Sequence, residues 1–426
     1  MSRTVAVLAY DQLLAEGYVE GRHGSGTYAS AALGARAPKH SVGRTADIHL
    51  SRFGHGVTPP DAVRSRRPAA RYDFSHRGCD VTAFPFELWR RILIRRARRL
   101  SLREVDYGPA AGSLALREAI AAHLRRARAV SADESQVVIT SGSQQALDLA
   151  ARVLLDPGDR VVIEDPQYQG AREVLRAAGA RLHLATVDRD GINPVTLPRT
   201  APAALITPSH QFPTGAILPL ARRLALLEWA KRARAVIIED DYDGEFHYEG
   251  QPVESMQGLD TEGRVIYIGT FSRTVFPALR IGYLVVPKSL VPAFTGAKWL
   301  TDRHTPTLEQ ETLAEFIVSG AYERNLRRAR RKNAIRRRAL LDSIRDHLGD
   351  RVEVTGEGSG AHIAIWPRSR HSEESLVTQA AERGVAIAGI SQYYLKPPAR
   401  PGLLLGYARL SESQIREGIA RLAGVL

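Results

Sequence analysis

The chain has 426 residues, 44% hydrophobic and 25% charged, which is the balance of a folded globular protein of two or three domains and excludes a disordered tail or a small stapled peptide. No stretch approaches the roughly 18 uninterrupted apolar residues of a membrane-spanning helix, and no signal pattern opens the sequence, so a cytoplasmic chain without a membrane partner is expected. The single cysteine, Cys79, excludes an internal disulfide, no Cys/His spacing suggests a metal, and the formal net charge of +13 points to a polyanionic partner.

In chain order, Val5, Leu8, Ala9, Leu13 and Leu14 recur at helical spacing from Thr4 to Glu16, and Gly17 is placed to end that helix. Tyr18-Val19, a tip containing Gly21, Gly24 and Gly26, and Thr27-Tyr28 then read as a β-hairpin. Helix plus hairpin is the second half of a winged helix-turn-helix. The runs Ser2-Arg3-Thr4, Ala9-Tyr10-Asp11-Gln12-Leu13, Ala15-Glu16-Gly17-Tyr18 and Gly24-Ser25-Gly26-Thr27 resemble the recognition helix and wing of GntR-type bacterial regulators. The resemblance implies DNA as a partner, met by Ser2, Arg3, Thr4, Arg22 and His23. Two helices precede the recognition helix in that family and are not found before Ser2, so a poorly anchored fragment is expected: a start placed too late, or a copy that has lost competent DNA binding.

Residues 31–71 are rich in Ala, Pro, Gly and Arg without periodicity and read as a linker between a partial winged helix (1–30) and the body. From residue 72 short apolar strands alternate with helices: Gln136–Thr140, Arg160–Glu164, Arg181–Ala185, Ala203–Thr207, Ala235–Glu239, Val265–Ile268 and Gly282–Val286. That alternation predicts an α/β domain with a mainly parallel sheet over 72–300. A smaller C-terminal α/β domain over 301–426 is expected to follow. Two stretches are strongly basic. Arg90–Arg103 holds seven arginines and no acid, and Tyr322–Arg338 holds nine basic residues against Glu323; both read as helices with solvated arginine faces or as sequence-neutral DNA contacts.

Four segments fall at predicted strand ends, where open parallel sheets place ligands. Thr140-Ser141-Gly142-Ser143-Gln144 opens a helix and can cradle a phosphate with backbone N–H groups and a hydroxyl. Glu164-Asp165-Pro166-Gln167-Tyr168 offers an aromatic face, Thr207 to Gly215 forms a turn-rich loop, and Glu239-Asp240-Asp241-Tyr242 brings acids to an apolar strand. A buried carboxylate is costly unless paired, so Asp240 is expected to meet a cation.

These segments, with Thr270-Phe271-Ser272, Phe276-Pro277-Ala278-Leu279-Arg280 and Gly282-Tyr283, resemble fold-type-I aminotransferases, which bind pyridoxal 5'-phosphate (PLP). Joined to the winged-helix runs, they identify the chain as similar to MocR-type (GabR-like) regulators of the GntR group. The resemblance implies that Ser143, Gln144, Thr270 and Arg280 contact the cofactor phosphate, that Tyr168 stacks on the ring, and that His210 lies beside it. It further implies that Asp240 pairs with the ring nitrogen and Tyr242 with the ring hydroxyl. Tyr107 would reach the phosphate of a partner subunit in a homodimer. The family's cofactor-binding lysine is replaced by Arg273. A guanidinium stays protonated and cannot form an imine, so noncovalent, weak PLP binding without ordinary transamination is expected. Lys288 and Lys298 are not aimed at the ring by anything in the sequence. The last strand offers Leu404 where aminotransferases usually place a substrate arginine, with Arg409 nearby as a substitute. A regulator sensing PLP or an amino-acid-type effector is the main reading; a PLP-dependent aminotransferase is the alternative, and a degenerate dimer a third.

Overall fold

Ser2 accepts the amide of Val5 at 3.4 Å and so caps the first helix, α1 (Arg3–Ala15), which ends ahead of Gly17 at φ +74°. A computed structural model describes residues 2–31, 49–57, 70–76, 78–102, 104–248 and 254–426. Most of the expected linker, including 32–48 and 58–69, lies outside the described residues. After α1 come β1 (Val19–Arg22) and β2 (Gly26–Ala29), an antiparallel hairpin in the register Val19↔Ala29 to Arg22↔Gly26. No residue of α1 is buried, and Val5, Leu8 and Tyr10 stand exposed. Residues 1–52 form a unit of their own.

The body opens with β3 (Tyr72–Asp73), α2 (Phe86–Arg98) and α3 (Leu114–Arg128), then β4 (Val137–Thr140), α4 (Ser143–Leu154), β5 (Arg160–Asp165), α5 (Gln169–Ala177), β6 (Arg181–Asp188) and β7 (Gly191–Ile192). It continues through β8 (Ala203–Ile206), α6 (Leu220–Ala233), β9 (Val236–Asp241), β10 (Val265–Thr270) and β11 (Gly282–Val285). These strands form one sheet in the order β4-β11-β10-β9-β8-β5-β6-β7. The pairs β6–β5, β5–β8, β8–β9 and β9–β10 are parallel, while β11 runs antiparallel to both neighbours. β4 and β8 are buried at every position, as expected of strands covered on both faces. Alternate residues serve opposite layers: Ile163, Leu205 and Ile238 pack with Leu149 and Leu175, whereas Val162, Ala204 and Ile237 pack with Leu226 and Trp229.

Beyond the sheet lie α7 (Val291–Asp302), α8 (Thr307–Val318) and the long α9 (Ala321–His347), followed by β12 (Val352–Thr355), β13 (His362–Pro367), α10 (Glu373–Glu382), β14 (Val385–Ala386), β15 (Ala388–Gly389), β16 (Leu403–Gly406) and α11 (Glu412–Leu422). A second, antiparallel sheet has the order β12-β13-β16-β15. The cores divide elsewhere than at residue 300. Leu313, Phe316, Tyr322 and Leu326 pack with Trp89, Ile92 and Leu116 of the first core, while Leu340 and Ile344, farther along α9, belong to the second. Tyr72 and Phe74 also join the second core, because β3 pairs with β14. At 27 residues, α9 is ~40 Å long, enough to enter both.

One buried charge cluster ties α3 to α9. His123 Nδ1 lies 2.8 Å from Glu323 Oε1, and Nε2 lies 3.0 Å from Glu245 Oε1. Burial opposes the imidazolium, but hydrogen bonds to the two carboxylates outweigh it and push the pKa up to about 9. A folded-state pKa above the ordinary 6.5 gives stability that is complete below that value and is lost as pH rises through 9. Denaturant unfolding should therefore show the wild type losing roughly 3 kcal/mol relative to His123→Gln between pH 6.5 and 9. A difference that stays constant across that window would contradict the assignment.

Candidate functional site

The end of β9 carries three consecutive buried acids with three different fates. Glu239 accepts the amides of Met256 (2.9 Å) and Gln257 (3.0 Å). Asp241 accepts from Arg128 Nη2 at 2.8 Å and from the Tyr267 hydroxyl at 2.5 Å, and Arg128 also donates to Ser209 Oγ at 2.7 Å. Asp240 is 7% exposed, and its Oδ1 has no hydrogen-bond partner among the described residues. Burial pushes its carboxyl up to about 7; Asp241, Asp243 and Glu164 add to the rise, and Arg273 opposes it. Glu164, at the end of β5, is held by the Thr207 amide (3.1 Å) and hydroxyl (2.6 Å), and burial likewise raises it to about 7.

At the end of β4, on the same edge of the sheet, α4 begins at Ser143 behind Gly142, whose φ is +84°. Arg280, at φ +52°, donates through Nη2 to the Ser141 carbonyl at 2.9 Å. A Cβ on Gly142 would sit 2.8 Å from Arg280 Nη2, so glycine is what lets the guanidinium reach this helix start. Thr270 Oγ1 lies 3.1 Å from Ser272 Oγ. The Gln144 side chain is committed to the Gly170 carbonyl at 3.0 Å, which leaves its backbone N–H at the helix start. A helix N-terminus flanked by an arginine is a ready anion site.

Between these ends lie the aromatic groups. Tyr168 meets Phe212 edge-on at 6.2 Å, and Phe212 meets Tyr242 at 6.0 Å. The Tyr242 hydroxyl is 3.1 Å from His210 Nδ1. Burial raises Tyr168, with Asp240 adding to the shift and Arg273 and Arg280 opposing it, so the two ends and the ring between them share one electrostatic environment. Arg273 is half-buried there. Its Nη1 donates to the Gly78 carbonyl at 3.0 Å and its Nη2 to His76 Nε2 at 2.7 Å. Burial and the adjacent guanidinium hold His76 well below its ordinary pKa, and the neutral imidazole accepts. Lysine does not stand in. Lys288 pairs with Asp133 at 2.8 Å, and buried Lys298 holds Asp302 (2.6 Å), Gln145 (3.0 Å) and Thr305 (3.1 Å).

The remaining expected residues lie apart. Tyr107 is 81% exposed, 6.1 Å from His304 and 5.9 Å from the Arg303 guanidinium. Arg409 is exposed in the turn after β16, and Leu404 is core. Arg3, Thr4, Arg22 and His23 are exposed on the N-terminal unit, with Arg22 over the Tyr28 ring at 5.1 Å. In the basic helices Arg95 and Arg96 pair with Glu315, and Arg330 with Glu245, so these charges are already neutralised. Arg324, Arg327, Arg328 and Arg331 are exposed. Sequence reasoning missed Arg128 and His76, which are far from the strand-end motifs and carry no local signal.

The aminotransferase class I and II family model matches residues 93–422. Over 425 residues the chain is 38% identical to the probable rhizopine catabolism regulatory protein MocR of Rhizobium meliloti, covering 99% of this chain and 86% of that relative. The chain belongs to the MocR-type regulators. A second member, the HTH-type transcriptional regulator TauR of Rhodobacter capsulatus, is 34% identical, with 100% of this chain and 89% of TauR covered. The Pyrococcus horikoshii kynurenine aminotransferase structure superposes with a TM-score of 0.81 at 28% identity, covering 88% of this chain and 96% of that one. The body of this MocR-type chain thus has the fold-type-I transferase architecture that the resemblance implies. Its residues also fit the cofactor of that fold: the unpartnered Asp240 Oδ1 is a buried acceptor suited to a protonated ring nitrogen, and the Gly142–Arg280 cradle suits a phosphate. No helix among the described residues is long and apolar enough to cross a membrane.

Proposed function

We propose that this chain is a DNA-binding transcriptional regulator whose aminotransferase-like body holds PLP noncovalently as a sensing element for an amino-acid-type effector. The observation that carries this reading is Asp240, a buried carboxylate with an unpartnered oxygen, in a site where Arg273 occupies the position of the family's lysine. When bound, PLP supplies an electrophilic aldehyde on an electron-withdrawing ring. Arg280, the Ser143 and Gln144 amides and Thr270 hold its phosphate, and charge-assisted hydrogen bonds of this kind contribute about 1.5–3 kcal/mol each. Tyr168 covers the ring, Asp240 accepts from the ring nitrogen, and Tyr242 with His210 orients the ring hydroxyl. Arg409 takes the effector carboxylate. In a cytoplasmic homodimer Tyr107 completes the partner's phosphate site. Arg273 holds no neutral amine at any accessible pH and therefore neither links to the aldehyde nor moves the α-proton of an amino acid, which argues against the aminotransferase alternative.

On the DNA side, Ser2, Arg3, Thr4, Arg22 and His23 present the recognition contacts, and exposed Arg324, Arg327, Arg328 and Arg331 add phosphate contacts. Mobility-shift titration of the full chain on duplex DNA from upstream of its own gene should show affinity falling steeply with salt. The Arg3→Ala/Arg22→Ala double variant should lower the log–log salt slope by about 1.8. Failure to bind DNA at low salt, or an unchanged slope, would overturn the DNA assignment.

The cofactor assignment has its own check. Incubation with PLP, borohydride reduction and peptide mass spectrometry should leave no stoichiometric phosphopyridoxyl group on the wild type, whereas Arg273→Lys should acquire one at residue 273. A stoichiometric label on a native lysine, or no label in the variant, would refute this account of the pocket.

A further inference from the structure

Next to this pocket three buried residues from distant parts of the sequence converge. His210 comes from the loop after β8, Asp243 from the segment after β9, and His362 opens β13. They are 1%, 2% and 0% exposed, and one ligand-type atom of each lies within 4.8 Å of the others. His210 Nδ1 and Asp243 Oδ2 are 3.1 Å apart. That is close to the ~3.3 Å edge of a tetrahedron with metal–ligand bonds of about 2.0–2.1 Å. His362 Nε2 donates to the Pro213 carbonyl at 3.2 Å, so the lone pair is on Nδ1, which has no hydrogen-bond partner among the described residues. A backbone carbonyl fixing the far nitrogen is how proteins orient a metal-ligating histidine. Among the described residues Asp243 Oδ1 and His210 Nε2 also have no hydrogen-bond partner. Unpaired polar atoms at this depth are costly.

We propose that His210, Asp243 and His362 form a binding site for a single divalent cation of the zinc class. Two imidazoles and one carboxylate match the borderline preference of that ion, and three protein ligands leave a fourth position open. The Tyr242 hydroxyl lies 3.1 Å from His210 Nδ1. His76 is not a ligand, although its ring is 4.4 Å from that of His362, because its Nε2 is taken by Arg273. The Arg273 guanidinium, which donates to the Gly78 carbonyl, places positive charge near His362, and Asp240 and Asp243 supply negative charge to the same surroundings. Loading requires the widest ligand pair to close by up to ~1.5 Å, within reach of side-chain rotation.

The test uses the full chain stripped with chelator and titrated with Co²⁺, read by visible absorption, and with Zn²⁺, read by calorimetry. One equivalent per chain is expected, with the intense absorption of a low-coordinate cobalt site. Asp243→Asn and His362→Gln should each weaken binding by at least about tenfold. X-ray absorption of the zinc-loaded wild type, which does not depend on how any variant folds, should show a nitrogen/oxygen shell with two imidazoles. No retained metal, undiminished binding in both variants, or a sulfur ligand would overturn the site. Absence of metal binding would leave the cofactor reading intact: His210 is the one residue common to both proposals, and Asp240, Arg280 and Tyr168 take no part in ligation.

Discussion

Asp240 sets the terms for the whole pocket. On β9, Glu239 is held by two backbone amides and Asp241 Oδ2 by Arg128 and Tyr267, while no hydrogen bond reaches the buried Asp240 Oδ1 among the described residues. The carboxyl responds by rising to about 7, close to the point at which it would carry a proton rather than a charge. Removing one partner from a buried pair costs several kcal/mol, so a fold that keeps Arg128 locked to Asp241 cannot spare that guanidinium for the adjacent residue. A cationic group entering from outside would give Asp240 the partner that Arg128, committed to Asp241, does not supply.

Arg273 changes what such a ligand can do. Arg273 is a permanent cation held by Gly78 and His76, and in the function proposed above it stands where the family has an amine. The guanidinium lowers the cost of the buried Asp240 carboxylate and adds to the burial that keeps His76 neutral. It adds charge to the pocket and removes a nucleophile. In the proposed function binding and covalent chemistry are thereby uncoupled: the groups proposed to hold a phosphate and a ring nitrogen are present without an amine at residue 273 to react with an aldehyde. That combination suits a sensing domain better than a catalytic one.

Much of this was legible in the sequence for identifiable reasons. The strands of the large sheet stand out because burial on both faces makes them continuous apolar runs, as in Val137–Thr140 and Ala203–Ile206. Asp240 was legible because an acid ending such a run needs a cause. The domain boundary was not: α9 is one continuous helix whose first turns join one core and whose last turns join the other, on either side of a basic middle, so it has no break at which the first core ends. Pairing of Tyr72–Asp73 with Val385–Ala386 is a contact between the two ends of the body and has no local signature. The same is true of His76, Arg128 and His362, whose roles arise only when the chain brings them to Arg273, Asp241 and His210.

The central claim is most directly tested by fluorescence titration of PLP into the full chain and into Asp240→Asn, which keeps the side-chain shape and removes the charge. The account predicts reversible binding that dialysis removes, weakened by about ten- to a hundredfold in the variant, the equivalent of one charge-assisted hydrogen bond. Equal affinity in the two proteins would contradict it.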